Sequence, residues 1–424
     1  MKPERKYLIQ ELIELLLRNG AGYVSPRLKE TVSGYVPGPR KQIRGLDDWI
    51  AFSEAVRKRR EGITEHEVAD LEVRNLLETQ NFGRTWDSAS WFIAVQMVQA
   101  VGLFVISLEL HRRGLAKFGL EVGRLRGIRK SLGLAQLAIQ TGDSNLAANC
   151  QSQLARSALT PLAQPAKAVA EYLGAWLDGE HGGYSGFLHP SEMFLSSIVK
   201  GKNVLLKGPA VIRESKDWEQ TNTVIVGIMR PTGPSAVSAG KFESGFPHVA
   251  YANGNTVNFL SRLDEAAIRN SLAPFSALVL KAPVPTVLQR NSATPIRRVT
   301  GGNQLLLVYG RPNMVQVAAL DILRFAPSGL FITGVNFFID DYREEERWYD
   351  HVRSRRVDIV NSGGEDFEVC VSISEHGAIT NRNLLKNLQM WNRLDGDATF
   401  QDSLRLSDEE YLRALEIRFG KERV

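Results

Sequence analysis

Cysteine is almost missing from this chain: Cys150 and Cys370 are the only two in 424 residues, and they lie far apart without partner spacing. That scarcity excludes a disulfide framework and a cysteine zinc site, and it favours a reducing compartment. A charge excess of one sign is missing as well. The 52 basic and 47 acidic residues leave a net charge of +5, which gives no argument for a nucleic-acid partner and is compatible with a small anionic ligand. Low-complexity tracts are absent, and a hydrophobic fraction of 43% with 23% charged residues is ordinary for a folded protein. Long apolar runs are scarce too. The best candidate, residues 91–108, contains Gln96 and Gln99 and follows Asp87, whereas a spanning helix needs about 20 apolar residues. It reads as a buried core helix, so membrane association is allowed but not required. The charged start, Met1 to Lys6, leads into a short amphipathic helix rather than an apolar signal segment, and the expected address is cytoplasmic.

What the chain does contain divides it in two. Residues 8–17 carry a broad apolar helical face, and 23–46 are interrupted by Pro26, Pro37, Pro39 and several glycines. Helical patterns follow at 89–112, 132–141, 144–155 and 166–177. The short turns between them suggest helical hairpins of a repeat-like kind, although a 34-residue consensus (about the tetratricopeptide period) is lacking. The glycine-rich stretch 178–190, DGEHGGYSGFLHP, is aperiodic and reads as a linker. Beyond it, short apolar runs at 203–206, 223–228, 277–280, 305–308, 329–333 and 367–373 look like buried strands, with helices at 263–271, 314–324 and 380–391 between them. The expected fold is α/β: a Rossmann-like, mainly parallel sheet domain preceded by an all-α helical domain. The boundaries are 1–180 for the helical domain, 181–200 for the linker and 201–424 for the sheet domain. Ligands of such sheets bind at the carboxyl ends of the strands, near a topological switch point.

Four constellations stand at such positions. An apolar run ends in Gly208-Pro209-Ala210, a small-residue turn where backbone amides can approach a ligand, though an ordinary strand-to-loop turn looks the same. Asn253, in Tyr251-Ala252-Asn253-Gly254, can donate to and accept from a base or sugar, or can form a tight Asn-Gly turn. Arg311, Pro312 and Asn313 precede a helix whose free amides suit a phosphate, and Gly334 follows the next strand; a simple helix cap would also explain them. His376, beside Glu375 and ahead of Asn381, is placed as a general base or as a capping residue. Asp395-Gly396-Asp397 and Asp340-Asp341 are acidic pairs in loop-like sequence, matching either a metal-using transferase or common turns.

The order of these segments over residues 200–415 resembles bacterial relatives of the sialyltransferase family of glycosyltransferases. Residues 204–210 are similar to the start of that family's large motif, and 222–229 (NTVIVGIM) to its second strand. Tyr251 to Gly254 resembles a Tyr-Tyr-Asn-Gly segment, 310–336 the small motif, Arg347-Trp348-Tyr349-Asp350 a short His-Tyr-Tyr-Asp motif, and His376 with Asn381 the terminal histidine motif. Gly227 and Met229 replace the family's Arg and Asn, Asn313-Met314 its Ser and Gly, Arg347 a histidine and Asn381 an acidic residue.

The resemblance implies inverting, metal-independent transfer of an acidic sugar from a CMP-sugar donor to a surface glycan or its precursor, with no further cofactor. His376 would be the catalytic base. Gly208, Pro209, Ala210, Asn253, Arg311, Asn313, Gly334, Tyr349 and Asn381 would bind the donor. Two alternatives stand beside it: a catalytically degenerate scaffold of the same fold, and a metal-dependent transferase using Asp395 or Asp397 with a UDP- or GDP-sugar.

Overall fold

The computed structural model describes residues 46–60, 63–157, 164–177, 190–208, 210, 223–232, 236–238, 248–299, 306–339 and 364–419. The candidates Pro209 and Tyr349, the Asp340-Asp341 pair, the 347–350 motif and the expected helix at 8–17 lie outside them.

Among the described residues eight helices come first: α1 (Leu46–Arg60), α2 (His66–Glu78), α3 (Ser88–Ala100), α4 (Ser107–Arg124), α5 (Gly127–Thr141), α6 (Ser144–Ser157), α7 (Gln164–Leu177) and α8 (Pro190–Val199). Local chemistry sets several ends. Asp87 caps α3 by accepting from the Ser90 amide at 2.8 Å, and left-handed Gly142 (φ 77°) closes α5. The single helix expected over 89–112 is two. Gly102 adopts φ 83°, and the chain turns over 101–106 before α4 starts. Helix α3 is buried on nearly every side. Among the described residues no helix is long and apolar enough to cross a membrane.

The second half supplies β1 (Asn203–Lys207), β2 (Thr223–Thr232), β3 (Ala236–Ser238), β4 (Val249–Ala252), α9 (Gly254–Leu260), α10 (Glu265–Leu272), β5 (Ala277–Leu280), α11 (Thr286–Asn291) and β6 (Ile296–Arg298). It continues through α12 (Met314–Leu323), β7 (Gly329–Thr333), α13 (Gly364–His376), α14 (Ala378–Met390), β8 (Asp395–Gly396), α15 (Ala398–Arg405) and α16 (Asp408–Phe419). The sheet order is β6-β5-β4-β2-β1-β7-β8, with β3 off this path against β2. Among the described residues every pairing is parallel except the β2–β3 pair. The α/β expectation with a mainly parallel sheet therefore holds. The chain builds outward from β1 to β6, then returns to add β7 and β8 on the other side of β1. The switch point thus lies between the carboxyl ends of β1 and β7.

Alternation along the strands buries both faces, as a parallel sheet requires. Val249, Tyr251, Ala277 and Val279 join a core shared with α5, α6, α7, α12 and α14. Ala250, Ala252, Leu278 and Leu280 face the core beneath α9, α10 and α11. The helical half has no fully separate interior, since Ile139, Leu154, Val169 and Trp176 belong to the same cluster as Val204 and Ile332.

Two expected strands are corrected. Residues 367–373 lie in helix α13, where Val369, Cys370 and Ile373 are buried at helical spacing. Their β-branched composition is overridden by packing against neighbouring helices. At 305–308, the described residues 306–308 form no strand. Leu306 and Leu307 are both buried although consecutive, and the Leu307 carbonyl accepts from Gln136 of α5 at 3.1 Å. This segment docks on helices rather than joining the sheet.

A buried charge network sits where α7, α8 and α12 meet the sheet. Asp321 is wholly enclosed; it accepts from Tyr251 Oη at 2.7 Å and pairs with Arg297. Glu192 of α8 joins Arg297 at 3.2 Å and Arg324 at 2.9 Å. Arg324 also stands over the Tyr172 ring at 5.5 Å and faces Glu171 at 3.8 Å. Four elements are thereby fixed to the C-terminal end of α12, which determines where its N-terminal end points.

Candidate functional site

The opposite end of α12 meets the junction between α13 and α14. Gly310 takes φ 79°, and a Cβ there would lie 2.2 Å from the His376 carbonyl oxygen, so only glycine lets the two chains approach this closely. The Arg311 amide donates to that carbonyl at 3.2 Å, while His376 Nδ1 lies 2.8 Å from the Arg311 carbonyl oxygen. A carbonyl can only accept, so Nδ1 carries the proton and the neutral ring keeps its lone pair on Nε2. Among the described residues nothing else bonds to the ring. Burial pushes the His376 pKa down to about 4, and the positive charges of Lys281 and Arg311 push in the same direction. The ring is therefore neutral at pH 7.

Asn381 holds this junction together. Its amide nitrogen donates to the Arg311 carbonyl at 3.0 Å and to the His376 carbonyl, and its Oδ1 accepts from the Asn313 amide at 2.9 Å. Asn313 caps α12 through Gln316. Of the candidates chosen from sequence, His376, Arg311, Asn313 and Asn381 are thus brought together. His376, Asn313 and Asn381, though not Arg311, border a shallow recess with room for about one water molecule, whose other walls include Phe337, Phe338 and Tyr411. The wall past β7 is strained: Phe337 and Phe338 adopt φ 50° and 72°. Such backbone costs on the order of 1 kcal/mol per residue. It is held from α16, where Tyr411 Oη donates to the Phe337 carbonyl at 3.2 Å and Arg418 to the Phe338 carbonyl at 2.9 Å.

Gly208, Ala210 and Gly334 are brought together elsewhere, at the switch point, but as a brace. The Gly208 amide donates to Thr333 O at 2.7 Å and the Ala210 amide to Gly334 O at 2.8 Å. The Gly334 amide donates to Asp397 Oδ2 at 2.8 Å. These three amides donate within the fold, to Thr333, Gly334 and Asp397. Asn253, at the end of β4, caps α9 by accepting from Thr256 N at 2.9 Å; it does not form a tight hairpin turn. Asp397 is likewise occupied. One oxygen caps α15 through Phe400 N at 2.8 Å, and the other accepts from Thr333 Oγ1 at 2.7 Å. Among the described residues no group of three or more His, Cys, Asp or Glu side chains could hold a metal ion.

Lys281 escaped the sequence reasoning. It directly follows β5, its backbone amide donates to Ala252 O at 3.0 Å, and its Nζ donates to the Pro312 carbonyl at 2.5 Å. The signal was present: a cation at the carboxyl end of a parallel strand occupies the edge where such sheets bind ligands. No protein-family model matches the sequence, and no curated protein or solved structure matches it significantly.

Proposed function

We propose that the chain is an inverting glycosyltransferase that moves an acidic sugar from a CMP-linked donor to a hydroxyl of a surface glycan or its precursor. The observation that carries this reading is the orientation of His376. Its Nδ1–H is anchored on the Arg311 carbonyl, which leaves Nε2 as a fixed proton acceptor beside this recess. An unassisted hydroxyl is a poor nucleophile at neutral pH, and a positioned imidazole removes its proton as the bond forms. In the proposed step Nε2 takes the acceptor hydroxyl proton, the hydroxyl oxygen bonds to the anomeric carbon, and the bond from that carbon to the phosphate oxygen breaks. The electron pair leaves with the nucleotide. The donor class comes from the order of motifs along the chain. The small backbone and asparagine candidates are assigned to holding the site's shape, and the cations at the α12 end to binding.

One observation favours a second reading. The amides of Gly208, Ala210 and Gly334 and the caps formed by Asn253 and Asn313 serve the fold itself, as they would in a catalytically degenerate scaffold. A thermal-shift screen against CMP, CDP, UDP, GDP and ADP, with and without divalent metal, separates the readings. A ligand at a hundred times its Kd adds about 2.7 kcal/mol to the native state. Stabilisation by CMP, indifferent to metal, is expected. Silence with every nucleotide would favour the scaffold, and a metal-dependent response to UDP or GDP would favour the metal-using alternative.

A further inference from the structure

Three basic side chains from three separate elements converge at the start of α12. Lys281 ends β5, Arg311 precedes the helix, and His376 ends α13. Lys281 Nζ reaches the Pro312 carbonyl at 2.5 Å, next to the N-cap Asn313. Burial and the charge of Arg311 both lower the Lys281 pKa, to about 8, and no carboxylate is among the groups acting on it. Glu375 is the nearby acid, and its electrostatic partner is Arg311. Among the described residues Lys281 makes no ion pair. Burying the Lys281 ammonium with a carbonyl but no carboxylate as its partner is unfavourable unless an anion joins it. The helix adds its own positive end, with the Met314 and Val315 amides in the first turn.

The geometry points to an oxyanion subsite built from Lys281, Arg311 and the first turn of α12, with the positive charge that a phosphate group requires. Under the transferase reading, on which only the identity of the carrier rests, this is the nucleotide phosphate. The subsite then has a second effect. A bound phosphate offsets the two cations that depress His376, so donor binding raises the basicity of the ring in the complex that needs it.

The test uses the full chain and sulfate as probe, because sulfate remains a dianion from pH 6 to 9 and any pH dependence belongs to the protein. Sulfate affinity, measured by thermal shift at constant ionic strength against chloride, is expected to fall about tenfold from pH 7 to 9 as Lys281 loses its proton. Lys281→Arg should bind sulfate with little change over that range. Lys281→Met should bind at least tenfold more weakly at pH 7, and His376→Gln should bind as the wild type does. A wild-type affinity that does not change with pH, or Lys281→Met binding sulfate normally, would overturn the subsite and leave Lys281 as a pin for the 312 carbonyl. CMP competing with sulfate supports the phosphate assignment. Sulfate binding that behaves as expected but is indifferent to CMP supports the subsite and removes the nucleotide reading.

Discussion

Replacing Asp321 should cost more stability than any surface change in the molecule. Its carboxylate is completely enclosed, accepts the Tyr251 hydroxyl at 2.7 Å, pairs with Arg297 and lies 3.6 Å from Arg324. Asp321→Ala leaves two buried guanidinium groups sharing Glu192, and removing one partner of a buried pair costs roughly 3–5 kcal/mol. The Tyr251 hydroxyl loses its acceptor in the same substitution, a further cost of about 1–3 kcal/mol if nothing replaces it. Relaxation around the vacated space offsets part of the sum, so an overall loss of about 4 kcal/mol is expected in equilibrium urea denaturation. The second arm is Arg297→Met, alone and combined with Asp321→Ala. Because the double variant removes a charge of each sign, it should be more stable than the sum of the two single losses implies, by at least about 1 kcal/mol. A loss below about 1 kcal/mol for Asp321→Ala, or strict additivity, would refute the network as the element that seats α12.

Other outcomes follow from the same geometry. Asn381→Leu should destabilise the chain by about 2–3 kcal/mol, because it unpairs buried backbone groups of Arg311, Asn313 and His376 together. A loss under 0.5 kcal/mol in urea, on the order of a surface change, would show that the bracket does not hold. Gly310→Ala combines a positive φ with a contact on the His376 carbonyl; it should cost about 1–3 kcal/mol, and wild-type stability would refute the close approach. Burial lowers His376 and His111 alike, each to about 4 from the ordinary 6.5. As pH falls from 6.5 towards 4 the unfolded chain takes up protons that these rings refuse, so their contribution to stability declines by about 3 kcal/mol each and is fully present above pH 7. Urea curves at pH 7 and 4.5 measure that loss, and His111→Phe should remove its share; an unchanged pH slope in that variant would sink the assignment.

The strongest local patterns were legible from the sequence. Strands at 277–280 and 329–333 appear with the expected ends because short apolar runs (ALVL, and LFI between Gly329 and Thr333) bounded by turn signals have few other uses. Strand β4 was not recognised as a strand, since Val249–Ala252 is four residues with two alanines, and its assignment depends on the neighbours β2 and β5. Helix α13 was read as a strand because Val369, Val371 and Ile373 favour extended structure, while burial at helical spacing became visible only with its partners in place. The site divides similarly. A histidine, an arginine and two asparagines were identified by residue type and order, and they do meet. What the sequence did not disclose is which polar groups the fold consumes: an asparagine that caps a helix and one that holds a ligand have the same letter. Lys281 was hidden for the opposite reason, because its importance comes from Arg311 and Pro312, about 30 residues onward.

The central claim is that His376 Nε2 is the proton acceptor in sugar transfer, and one measurement addresses it directly. The transfer rate from a CMP-linked acidic sugar to a panel of glycan acceptors is compared for wild type, His376→Ala and His376→Gln, with CMP binding followed in parallel. The account predicts that both variants bind CMP normally and lose about 10²- to 10⁴-fold in rate, the usual contribution of a positioned base. Transfer at the wild-type rate by His376→Ala would contradict it.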